Sequence, residues 1–298
     1  MNISRRDFLR LCTASSAALA LSPLDIFRLE QALANPAGPS VLWLQGAGCT
    51  GCSVSLLNRV APTAPTTAAD LLINTINLAY HPNLMATAGD TAVAVARQVY
   101  NAGGYVLAVE GGIPTAFGGN ACWAWAENGH DVTFADAVTS LSSRAAAVLS
   151  VGTCAAWGGI SAAYPNPTGV KGVSTVLGKA TVNIPGCPPH PDWMVWTIAK
   201  LLTGSLGSLD EYGRPRGLFS KKVHDICPRK DKGETKTYGV DGRCMKELGC
   251  KGPDTTADCP TLQWNNGVNW CVDANSLCIG CTNPTFPAQS LRKKEEAP

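Results

Sequence analysis

Between Ser40 and about Thr203, short apolar runs alternate with stretches whose apolar residues recur every three or four positions. Residues 41–44, 71–78, 105–109, 145–151 and 180–184 are compact apolar runs, the pattern of strands buried on both faces. Between them, 90–101 reads as a helix with Asp90 as N-cap and Gly103 just past its end. Residues 136–143 form a weaker helical pattern. A stronger one spans 191–202, opened by Pro191-Asp192, which suits a first turn. Strands alternating with helices predict an α/β fold built on a doubly wound parallel sheet. After Leu202 the periodicity fades, and 204–298 is rich in Gly, Pro, Lys, Asn and Cys. Such a segment cannot order itself by apolar packing alone. The chain therefore divides into an α/β part, 35–203, and an irregular part, 204–298, and it contains no internal repeat.

Composition sharpens this division. Charged residues are only 15% of the 298-residue chain and the net charge is +2. No basic run is long enough to coat a nucleic-acid backbone. The unusual count is cysteine, 13 in all, set among 30 Gly and 20 Pro. Cysteine at that level serves disulfides or metal, and spacing has to decide between them.

The first 34 residues carry an address. Arg5-Arg6 precedes a short, weakly apolar stretch from Leu11 to Leu21, and Ala32-Leu33-Ala34 offers small residues at a cleavage site. This is the pattern of a twin-arginine export signal, 1–34, with a periplasmic destination. The apolar stretch is too short to span a bilayer. That export route carries folded proteins, which suits a cofactor inserted before export and tilts the cysteines towards metal. No apolar stretch near Pro298 provides a membrane anchor, and 291–296 reads as a solvated tail.

The remaining cysteines fall into three sets. Cys49 and Cys52 follow the first strand, Cys154 the fourth and Cys187 the fifth, each in a Gly- or Pro-marked turn. In a parallel sheet these carboxyl ends share one edge, where such folds bind ligands. Four thiolates there suit zinc or an iron–sulfur cluster. A second set is His224, Cys227, Cys244 and Cys250. A third is Cys259, Cys271, Cys278 and Cys281. Twelve ligands thus make three groups of four, and Cys122 alone is left over. Six disulfides are arithmetically possible for twelve mature cysteines, but they give His224 no role and leave the export route unexplained.

Cys49-Thr50-Gly51-Cys52-Ser53, Glu110-Gly111-Gly112-Ile113-Pro114-Thr115, Val151-Gly152-Thr153-Cys154-Ala155, Pro185-Gly186-Cys187-Pro188-Pro189-His190-Pro191-Asp192-Trp193, His224-x-x-Cys227 and Cys278-Ile279-Gly280-Cys281 occur in that order. Over essentially the whole mature chain this resembles the small subunit of the periplasmic nickel–iron hydrogenases. The resemblance implies a flavodoxin-like domain followed by a small iron–sulfur domain. It also implies a large-subunit partner bearing the nickel–iron site, and an external carrier such as a c-type cytochrome. It assigns Cys49, Cys52, Cys154 and Cys187 to a proximal [4Fe–4S] cluster. His224, Cys227, Cys244 and Cys250 go to a distal one, and Cys259, Cys278 and Cys281 to a medial one. Two departures point to the nickel–iron–selenium subgroup. Cys271 stands where the standard family has proline, completing a medial [4Fe–4S] in place of a three-iron cluster. Ser53-Val54-Ser55 replaces the standard Ser-Glu. Gly51 is not cysteine and no cysteine closely follows Cys154, so the modified proximal cluster of oxygen-tolerant enzymes is not expected.

Catalytic bond breaking would belong to the partner's metals, and this chain's task would be one-electron transfer. His224 supplies neutral imidazole in place of an anionic thiolate, which favours a higher distal potential. Glu110 is expected either near the proximal cluster or a proton route, or as a cap or loop carboxylate. Cys122 is expected either as an unligated thiol near the proximal site, as the resemblance implies, or as a buried structural thiol. His190 is expected in a structural or interface role, while Trp157 and Trp193 pack around clusters and partner. Rival readings are a standard small subunit with Cys271 idle, a stand-alone electron carrier, and a zinc-stapled binding protein.

Overall fold

A computed structural model describes residues 40–62, 65–74, 76–238 and 242–287. The export signal at 1–34 and the tail at 291–296 lie outside the described residues.

The frame is a five-stranded, all-parallel sheet. Its strands are β1 (Ser40–Gln45), β2 (Asn77–Tyr80), β3 (Val106–Glu110), β7 (Ala147–Val151) and β9 (Val182–Ile184), in the order β2-β1-β3-β7-β9. That is the doubly wound order of flavodoxin-like folds. Register runs in step across the centre, with Gln45 beside Glu110 and Glu110 beside Val151, so the carboxyl ends of three strands align. Alternate residues serve two cores. Val41, Trp43, Val106, Ala108, Leu149 and Val151 face one side, and Leu42, Leu44, Leu107, Val109 and Val148 the other. Burial on both faces explains the near-continuous apolar runs.

Helices α3 (Gly89–Ala102) and α4 (Phe134–Ser142) cover the second face. Helices α1 (Gly51–Leu57) and α7 (Pro191–Leu202) lie against the first. Helix α2 (Ala68–Asn74) precedes β2, and two short helices, α5 (Thr153–Trp157) and α6 (Val173–Leu177), follow β7. Two small antiparallel ladders complete the α/β part: β4 (Ile113–Pro114) with β8 (Val170–Lys171), and β5 (Trp123–Glu127) with β6 (His130–Thr133).

Two local expectations are corrected. The run 71–78 is not one strand. Its first part continues α2 and only Asn77–Tyr80 pairs with β1. Leu71, itself fully buried, satisfies a helix face as readily as a strand, and a short apolar run carries no period to separate the two. Asp90 is not the N-cap of α3. The cap position is Ala88, and Asp90 sits in the first turn, where its charge favours the positive helix end. The predicted stop holds, with Gly103 ending α3 at φ 72°.

Among the described residues beyond α7, the helices are single turns, including α8 (Arg216–Phe219) and α9 (Cys259–Leu262). The few apolar residues of this part join the first face of the sheet. Phe219, Val223, Met245, Leu248, Trp270, Val272 and Leu277 share one buried cluster with Trp193, Met194 and Ile198 of α7. Among the described residues, no helix is long and apolar enough to cross a membrane.

Candidate metal centres

The first set gathers at the carboxyl edge of the sheet. Cys52 lies in the first turn of α1, entered through Thr50 in the left-handed conformation. Cys154 follows Gly152 (φ 87°) in α5, and Cys187 follows Gly186 (φ 144°) after β9. The two turns are bonded together. Gly152 N–H reaches Ile184 O at 2.9 Å, and Thr153 N–H reaches Gly186 O at 3.0 Å. Cys52 feels the charges of Cys154, Cys49 and Cys187, so all four sulfurs share one neighbourhood.

Glycine makes room for these sulfurs. A Cβ on Gly152 would stand 2.5 Å from Cys52 Sγ, one on Gly159 3.0 Å from Cys154 Sγ, and one on Gly51 3.0 Å from Cys49 Sγ. Gly152 also needs its positive φ, which other residues adopt only at a cost.

Beneath this set lies Glu110, 3% exposed, at the end of β3. Its Oε1 accepts from the backbone N–H of Cys52 (3.0 Å) and of Ser53 (3.2 Å). Its Oε2 accepts from Trp43 Nε1 (2.9 Å), Gln45 Nε2 (3.1 Å) and Ser53 Oγ (2.5 Å). The proton order is fixed by His81. Its Nδ1 accepts from Asn83 N–H (3.2 Å), so in the neutral ring Nε2 bears the proton and donates to Ser53 Oγ at 3.0 Å. Gln45 Nε2 also donates to Ser53 Oγ (2.8 Å), leaving the Ser53 hydroxyl proton for Glu110. Burial holds the His81 pKa down to about 4, against a pull from Glu110. Five donors therefore converge on one buried carboxylate. Burial, then the Glu110 charge, pushes the Cys52 thiol well above its ordinary range.

In the second set, Cys244 Sγ stands 3.7 Å from His224 Nε2. Cys227 feels both Cys250 and Cys244, and its sulfur accepts Arg229 N–H at 3.4 Å. A Cβ on Gly252 would lie 3.6 Å from both Cys250 Sγ and His224 Cβ. In the third set, Cys259 feels Cys281, Cys278 and Cys271, so the residue in the proline position belongs to the group. Burial pushes Cys278 and Cys281 up to about 12.

The sets follow one another in space. Cys281 feels the charge of Cys187, and Thr153 Oγ1 donates to Cys281 O, tying the first set to the third. Cys271 and Cys278 both feel Cys250, and Lys251 N–H bonds Cys278 O at 2.8 Å, tying the third to the second. The order is first, third, second.

Three observations fit these residues to iron–sulfur groups. All twelve cysteines among the described residues are free thiols, and all but Cys122 fall in sets that interact electrostatically. Buried thiols raised to about 11 or 12 at Cys187, Cys278 and Cys281 resist ionisation unless a cationic group compensates the charge. The buried Trp270 Nε1 and Thr256 Oγ1, in the stretch bearing the third set, have no hydrogen-bond partner among the described residues. Sulfide acceptors beside them would supply one.

The other singled-out residues have structural places. His190 caps α7, its Nδ1 accepting Asp192 N–H at 3.1 Å while Nε2 donates to Gln263 O at 2.7 Å. Trp193 donates to Asp258 Oδ1 at 2.8 Å, next to Cys259. Trp157 packs edge-on against Tyr212. Cys122 packs against the second-face core, its thiol pushed up by burial. The supporting roles of Trp43, Gln45 and His81 had no signal in the sequence, because residues so far apart in the chain meet only through strand register.

A parallel sheet with thiols at its carboxyl edge, continued by a segment whose thiols extend the line, defines an iron–sulfur electron-transfer protein. Residues 49–201 match the family described as NADH ubiquinone oxidoreductase, 20 Kd subunit, and 219–292 match the C-terminal family of the NiFe/NiFeSe hydrogenase small subunit. The chain is 41% identical to the periplasmic [NiFeSe] hydrogenase small subunit of Desulfomicrobium baculatum, over 96% of this chain and 97% of that one. It is 39% identical to the periplasmic [NiFe] hydrogenase small subunit of Solidesulfovibrio fructosivorans, covering 95% and 90%. The solved recombinant [NiFeSe] hydrogenase of Desulfovibrio vulgaris Hildenborough superposes with a TM-score of 0.78 at 43% identity, covering 84% of this chain and 94% of that chain. The chain belongs to the NiFe/NiFeSe hydrogenase small-subunit family.

Proposed function

We propose that this protein relays electrons through three [4Fe–4S] clusters between the nickel–iron(–selenium) site of a large subunit and an external carrier, a c-type cytochrome. The proximal cluster would be held by Cys49, Cys52, Cys154 and Cys187, and the medial one by Cys259, Cys271, Cys278 and Cys281. The distal cluster would be held by His224, Cys227, Cys244 and Cys250. The clusters supply one-electron redox chemistry, and everything else falls to the protein. The strand-end turns fix sulfur positions, Glu110 sets a negative charge under the proximal site, and the Thr153–Cys281 hydrogen bond joins proximal and medial ligand sets. The periplasmic names of the relatives and the Arg5-Arg6 pattern support export by the twin-arginine route.

Val54, Leu57 and Val60, all exposed along α1 and its end, support an apolar contact with the large subunit beside the proximal set. A cavity of about 700 Å³ opens there between α1, α7 and Trp264.

The observation that carries the selenium-type reading is the grouping of Cys271 with Cys259 and Cys278. Cys271→Pro should convert the medial site from four irons to three, giving a three-iron EPR signal on oxidation that the parent lacks. An unchanged cluster type would sink the assignment.

A further inference from the structure

We infer that the surface around His224 is a cationic docking face, and that the carrier it fits presents an acidic rim around its redox group. This rests on the relay reading above, with His224 at the outer end. Residues 221–251 hold nine Lys or Arg against five Asp or Glu, while the rest of the chain carries more acid than base. The positive excess is thus confined to the stretch that bears the distal set. Lys222 lies two residues before His224, Arg243 precedes Cys244, and Lys232 and Lys236 lie between them; all four are exposed and make no ion pair among the described residues. Among the described residues, four exposed acids share this surface. Asp225 and Glu234 are occupied by Lys230 and Lys246, each at 3.4 Å, leaving Asp231 and Glu247, among the described residues, to offset the free cations.

The two ends of the ligand line therefore differ in kind. The Cys49–Cys52 end exposes Val54, Leu57 and Val60, suited to a lasting apolar contact. The His224 end exposes charge, suited to fast, salt-sensitive encounter with a partner of opposite sign. His224, Cys227 and Cys250 are themselves only half-buried, so a docked carrier comes close to the distal ligands. Each hydrogen molecule yields two protons and two electrons, so two ferric haems become ferrous per turnover, one electron at a time.

The test uses the purified two-subunit enzyme with native cytochrome c, which is basic, and with succinylated cytochrome c, whose lysines have become carboxylates. Under hydrogen at low ionic strength, the succinylated form should be reduced about tenfold faster or more, an advantage that collapses as salt rises. The Lys232→Glu/Lys236→Glu double variant should lose most of that advantage. Faster reduction of the native form, or rates that ignore both salt and the double variant, would overturn the docking inference. Reduction of the wild-type clusters by hydrogen with no carrier present, read by EPR, separates the two ideas. Clusters that reduce while carriers show no preference of sign defeat the docking face alone, and clusters that stay oxidised defeat the relay reading beneath it.

Discussion

Glu110 carries more of the proximal site's chemistry than a residue outside every ligand set would suggest. Its two oxygens accept from five donors, two backbone and three side-chain, so both are held as acceptors by groups from β1 and the start of α1. No cation contacts it among the described residues, since His81 is neutral over the working range. A fixed negative charge beside the Cys52 amide disfavours adding an electron to anything those sulfurs hold. Glu110→Gln keeps the shape and removes the charge. It should raise the proximal midpoint potential by on the order of 50 mV, about 1 kcal/mol per electron, with medial and distal midpoints unmoved. Potentiometric EPR titration reads all three, and an unmoved proximal midpoint would remove Glu110 from the account.

At the scale of elements, strand ends position thiols and glycines admit them. Gly152 ends β7 with φ 87° where a Cβ would strike Cys52 Sγ at 2.5 Å. Gly152→Ala combines that contact with a positive-φ, extended-ψ conformation (φ 87°, ψ 158°) that is essentially restricted to glycine, costing about 1–3 kcal/mol. It should leave the chain short of about four irons, with the proximal EPR signal lost and the other two retained. Full iron loading would show that the turn tolerates a side chain. Much at this scale was legible in the sequence. Four of five sheet strands lie where the apolar runs put them, and 191–202 starts and stops as Pro191 and the end of its periodicity require. The run at 71–78 misled because helix and strand leave the same trace in eight mostly apolar residues. The β5–β6 hairpin escaped because Trp123–Glu127 is only partly buried and shows no clean alternation. The cysteine sets were legible by spacing alone, whereas Glu110's donors and the Thr153–Cys281 bond depend on contacts across 57 to 128 residues that no local pattern records.

The whole molecule joins a self-supporting sheet to a segment that leans on it. The described residues of 204–287 contribute scattered apolar side chains to the core on the first face and no regular element longer than four residues. Ligand bonds must supply much of their order. Removing iron with a chelator under reducing conditions should strip hydrogen-exchange protection from 221–281 while β1, β3 and β7 keep theirs. Equal protection before and after removal would mean that packing alone orders the segment. The central claim, three four-iron clusters in one line, is tested most directly by iron content with EPR on the anaerobically purified two-subunit enzyme. About twelve cluster irons for each copy of this chain, beyond the single iron of the partner's nickel site, with no three-iron signal on oxidation, is the predicted result. About eleven with that signal would contradict the role of Cys271, and none at all would contradict the relay.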